Sequence, residues 1–141
     1  MKDDLHTWHE IIVIADTPNI NGVVYSREEL ERAFERYMAQ PNRFGSLSPD
    51  SSFDKISHHL KSVAFEGDVL YGEIEILRTP FGNLLKDLLK TVPRSLTLGL
   101  IAKATMDNTV RSKDLFEESG LIATNVNVEA VCVLDKDLTN H

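Results

Sequence analysis

One cysteine in 141 residues, Cys132, excludes an internal disulfide. It lies in the apolar run "VEAVCVL", where a thiol reads as a buried structural side chain. No apolar stretch approaches the roughly 20 residues that cross a bilayer. The N-terminal "MKDDLHTWHE" lacks the apolar core of a signal peptide, so a soluble chain, intracellular when made, is expected. Positive charge is also scarce. Fifteen Lys and Arg against 22 Asp and Glu leave a formal net charge of −7. No cluster of Lys and Arg is present to follow a phosphate backbone, which argues against nucleic acid and favours a protein or peptide partner. Repeats, low-complexity tracts and Pro/Gly/Ser-rich linkers are missing, so residues 1–141 are expected to form a single domain. No His/Cys/Asp/Glu spacing suggests a metal site, and no cofactor is expected.

The residues that are present are ordinary for a globular chain, 42% hydrophobic and 26% charged. "EIIVIAD" (10–16) is a short β-branched run and predicts a strand; "NINGVVY" follows as a turn and connector. Ser26-Arg27-Glu28-Glu29 has the form of a capping box, and Leu30, Ala33, Phe34, Tyr37 and Met38 recur at helical spacing. This predicts a helix from about residue 27 to 39, ending before Pro41. "PNRFGSLSPDSSFDK" (41–55) has the composition of a long loop. "ISHHLKSVAF" and "DVLYGEIEIL", joined at Glu66-Gly67, predict an antiparallel hairpin, with Leu70, Gly72, Ile74 and Ile76 on one face. Thr79-Pro80 supplies an N-cap and a first-turn proline for a second helix. Its stripe is Phe81, Leu84, Leu85, Leu88 and Leu89, and it ends near Lys90. Strands over about 95–104 and 121–134 flank a polar segment (106–120) expected to be mobile. Two helices among five or more strands in hairpin-like order predict an α+β domain with a mostly antiparallel curved sheet or barrel.

Chemistry could sit on the last two strands. Alternation puts Leu96, Leu98, Leu100, Ala102 and Ala104 on one face of "RSLTLGL" and its continuation, with Thr97 and Gly99 on the other. In the last strand Glu129 falls with Asn125, Asn127, Val131 and Val133. A carboxylate there either faces solvent or needs a specific partner. Threonine is a favoured strand former, so Thr97 by itself reads as an ordinary strand residue.

Together these segments resemble the tailed-phage prohead maturation proteases, whose barrel fold is shared with the herpesvirus assemblins. "NINGVVYSREELERAFERYM" is similar to an Asn-x-Asn-Gly-x-x-Tyr segment leading into the family's first helix. The block from Gly45 to Leu89 carries the Ser-His of the family's first hairpin strand, the Tyr-Gly of its second and the Thr-Pro-x-Gly that opens a helix. "RSLTLGL" resembles the strand of the nucleophilic serine, and "VEAVCVL" the late strand of the acid. The resemblance spans about residues 10–135.

In that family a serine attacks the scissile carbonyl, a histidine takes its proton and an acid orients the histidine. The matching positions here are Thr97 for the serine, Glu129 for the acid and Ser48 for the histidine, in a Gly-Ser-Leu-Ser-Pro segment one residue shorter than the family's. A hydroxyl without a general base is a poor nucleophile, and the loss of one triad member costs roughly 10⁴–10⁶ in rate. The β-methyl of Thr97 also crowds attack, and an internal threonine has no N-terminal amine to use as base. The resemblance therefore implies a degenerate protease. Such a chain would be a non-catalytic structural protein of the virion (a minor capsid or decoration protein, or a capsid assembly factor) that binds capsid or other virion proteins, with a homo-oligomer as a further possibility. It would be assembled in the host cytoplasm. An acidic surface, repelled by packaged DNA, suits a place outside the shell or in a scaffold that leaves first. The alternative is an active prohead protease with Thr97 as nucleophile and His58 or His59 as base. Adjacent strand residues face opposite ways, so one of these two could face a cleft. His6, His9 and His141 lie near the termini, where mobility disfavours catalytic placement.

Overall fold

The computed structural model describes residues 6–19, 22–47, 55–111 and 118–136. Chain order is β1 (Thr7–Ile14), β2 (Val23–Tyr25), α1 (Arg27–Met38), β3 (Phe44–Ser46), β4 (Ile56–Glu66), β5 (Val69–Ile76), α2 (Pro80–Thr91), a 3-10 turn (Pro93–Ser95), β6 (Leu96–Arg111) and β7 (Glu118–Asp135). The predicted helices and the β4–β5 hairpin form where the sequence puts them. Ser26 accepts a hydrogen bond from the Glu29 N–H at 3.1 Å, and Thr79 accepts one from Gly82 at 2.9 Å while donating to the Ile56 carbonyl at 2.7 Å. Each cap thus satisfies an N–H that the first helical turn leaves without a partner.

Two sheets share the strands, in the orders β1-β5-β4-β3 and β2-β7-β6. All pairings are antiparallel except β2 with β7, which is parallel. The α+β class is as expected; of the two expected forms of the sheet, the hydrogen-bonded barrel is not the one adopted. β1 packs beside β6, and β3 beside β7, without the ladders that would close the ring. α1 packs on β7 and α2 on β4 and β5, so Leu30, Phe34 and Tyr37 of one helix and Leu85 and Leu89 of the other meet Ile12, Leu60, Leu70, Ile74 and Val126 in a common core.

Three expectations fail locally. Val23–Tyr25 is a strand rather than a connector, and Phe44–Ser46 is a strand inside the predicted loop. Both are three residues long, too short to display a period of two. The segment 106–120 is the outer part of the β6–β7 hairpin, paired from Met106↔Ala123 to Arg111↔Glu118; residues 112–117 lie outside the described ones. Its polar composition hid a ladder held by backbone hydrogen bonds, which need no apolar side chains. On α2, Leu84 stays 44% exposed, so the buried stripe is narrower than the sequence suggests. Among the described residues no helix is long and apolar enough to cross a membrane.

Candidate functional site

Thr97 is the second residue of β6, opposite Leu134 of β7. It is 1% exposed, and its Oγ1 donates to the Ile11 carbonyl of β1 at 3.2 Å. Ile11 adjoins a register shift in β1: Ile11 faces Tyr71 and Val13 faces Leu70, which leaves Ile12 over, 1% exposed in the core. The space beside Thr97 is not open. A Cβ on Gly99 would collide with the side chain of Leu134, so the missing side chain makes room for a neighbouring leucine. The threonine hydroxyl ties the edges of two sheets where no ladder joins them.

Glu129 falls in a bulge. Ile101 pairs with Ala130 and Ala102 with Val128, so Glu129 has no partner across the ladder. The bulge interrupts the alternation that grouped Glu129 with Val131 and Val133: those valines are buried, whereas Glu129 is 40% exposed and 3.5 Å from the Lys103 ammonium. From Glu129 to Leu134, opposite Thr97, is five residues, roughly 16 Å of extended strand. The two positions are therefore not brought together. Ser48 lies outside the described residues; Leu47 is the last described one on that segment.

His58 is fully buried. Its Nε2 is 2.7 Å from the Val131 carbonyl of β7 and its Nδ1 is 2.7 Å from Ser57 Oγ. A carbonyl only accepts, so Nε2 carries the proton, and a neutral ring must then accept from the serine hydroxyl at Nδ1. Burial lowers its pKa from 6.5 to about 4, against the Val131 hydrogen bond, which raises it. Gly45 of β3 makes this bridge possible, because a Cβ there would collide with both the Val131 carbonyl and the imidazole. His58 thus clamps β4 to β7 with both ring nitrogens engaged. Val131 pairs with Leu100, three residues and about 10 Å along β6 from Thr97. His59 points the other way, against Phe44 at 5.3 Å between ring centroids, with its Nε2 3.3 Å from the Pro41 carbonyl.

Cys132 is buried beside Ser46, and burial pushes its thiol pKa up while hydrogen bonds to Ser46 oppose that rise. A raised thiol pKa means little thiolate, in keeping with a structural role. Tyr37, in the same core, is pushed up to about 12 by burial, with Arg43 pulling the other way. His9 sits within β1, stacked on Tyr71 with ring centroids 5.1 Å apart, not in a mobile terminus; His141 lies outside the described residues. Among the described residues no group of three or more His, Cys, Asp and Glu side chains could hold a metal ion. The sequence did not reveal the partners of the candidates: the Ile11 and Val131 carbonyls are backbone atoms, which leave no signature in residue identity.

No protein-family model matches the sequence, and no curated protein matches it. The structure is similar to that of the capsid assembly protease of bacteriophage T4, with a TM-score of 0.71 and 14% sequence identity over 91% of this chain and 80% of that one. At that identity the likeness is one of fold, and the chain has a prohead protease-like α+β fold.

Proposed function

We propose that this chain is a non-catalytic protein of phage capsid assembly or of the virion, which keeps a prohead protease-like fold and acts through protein–protein contacts. The observation that carries this reading is the use made of the Thr97 hydroxyl: it is buried and donates to the Ile11 carbonyl, with no imidazole among its hydrogen-bond partners in the described residues. A nucleophile needs a base within hydrogen-bond reach, about 3 Å or through one water, to take its proton. His58 spends both nitrogens on Ser57 and Val131, His59 is turned to Pro41, and Glu129 is beside Lys103. The fold of the T4 protease supports the capsid setting.

Two measurements test this. Co-expression with the major capsid protein of the same phage should leave both chains intact. Cleavage that disappears in Thr97→Ala would establish the active protease instead. Mass spectrometry of purified virions or proheads should find the chain uncut, and its absence from both particles would remove the structural role.

A further inference from the structure

Among the described residues, one edge of the four-stranded sheet is left open beside an apolar groove. β3 pairs with β4 only between Ile56 and His59. Arg43 then occupies that side of Leu60, its backbone carbonyl receiving the Leu60 N–H at 2.9 Å and its Nε donating to the Leu60 carbonyl at 3.0 Å. From Ser62 to Glu66, β4 pairs with β5 alone. On its other side, alternate N–H and C=O groups have no strand partner among the described residues, which makes this stretch a template for another strand. The groove has a volume of about 340 Å³, with Phe34 and Met38 of α1 and Val63 and Phe65 of β4 among its walls. Val63 and Phe65 are two residues apart on one strand face, roughly 7 Å, the repeat of alternate side chains in an added strand.

Charge selects the occupant. Glu31 and Glu35 also line the groove, from the helix side. Arg27 neutralises Glu31 at 3.1 Å and closes that end by lying over the Phe65 ring, 4.5 Å from its centroid. Glu35 is exposed and has no basic partner among the described residues. We propose that the Ser62–Glu66 edge takes up an extended segment of another protein as an added strand, with apolar side chains at alternate positions filling the groove and a Lys or Arg meeting Glu35. This edge lies across β5 from β1 and the Thr97 junction, so the inference stands whether or not Thr97 has a catalytic role.

The probe is the hexapeptide Lys-Thr-Val-Thr-Val-Thr, whose lysine and two valines share one face of an extended strand, titrated into the intact chain. It should bind and slow hydrogen exchange at amides between Ser62 and Glu66. A form methylated on alternate backbone nitrogens in one register should lose binding, while the form methylated in the other register keeps it. Glu35→Lys should weaken binding by about tenfold or more. Glu75→Lys, which changes net charge equally on an exposed strand position, should not. Absence of binding overturns the proposal. So does equal binding of a peptide of the same composition whose lysine lies on the face opposite its valines, which would mean attraction by net charge alone, or protection confined to another part of the chain.

Discussion

The Ser-His pair on β4 joins the two sheets through a buried imidazole. His58 has the serine on one nitrogen and an acceptor on the other, the wiring of a general base, yet it is fully buried and its acceptor is a main-chain carbonyl of the opposite sheet. Its cost is a pH dependence. Above pH 6.5 neither the folded nor the unfolded ring is charged; between 6.5 and about 4 the unfolded ring takes up a proton that the folded one refuses. Stability should therefore fall as pH drops through that window, by about 3 kcal/mol in all. Urea denaturation at a series of pH values measures it. His58→Gln should flatten the slope whatever it does to stability at neutral pH, and an unchanged slope would contradict the assignment. Gly45→Ala should be as severe as any point change in the molecule, because the new methyl group meets the Val131 carbonyl and the imidazole together. Losing that bridge in a buried site costs about 3 kcal/mol or more, read as a lower urea midpoint at neutral pH.

At the level of elements, the sequence places both helices through their caps, and the second cap reaches further than its helix. Thr79 accepts from Gly82 at the start of α2 and donates to Ile56 at the start of β4, so one hydroxyl joins helix to sheet. Thr79→Ala removes both bonds and should cost about 2 kcal/mol, whereas Thr79→Ser should cost well under half of that. Equal losses in the two variants, compared by thermal unfolding, would mean that the methyl group rather than the hydroxyl matters. The strands were less legible. The β6–β7 pairing was expected to alternate without interruption, but bulges shift it at Glu129 and again near Asn125, whose φ of +52° lies in the left-handed region. A bulge is chosen by how two strands curve against the rest of the molecule, and no period in one strand announces it.

Across the whole molecule, two sheets meet along seams without continuous ladders, and individual side chains bridge them: Thr97 to Ile11 on one side, His58 to Val131 on the other. The Thr97 seam is testable by an isosteric change. Thr97→Val replaces the hydroxyl by a methyl group and leaves the Ile11 carbonyl without that donor, which should cost about 1–2 kcal/mol. Hydrogen exchange should show the loss concentrated in β1 and the first residues of β6. A uniform effect across both sheets would mean that the hydroxyl does not hold the seam.

By itself, the sequence determined the helices, the β4–β5 hairpin, the α+β class and a resemblance to prohead proteases, because caps, periodicities and turn residues act over a few neighbours and leave their marks in order along the chain. Tertiary structure alone decided where the candidate groups sit and what they touch. Whether Thr97 finds a base or a carbonyl, whether Glu129 turns inward or to Lys103, and whether His58 catalyses or clamps depends on which backbone atoms arrive from segments tens of residues away. Backbone atoms are the same in every residue, so no residue pattern can encode their arrival.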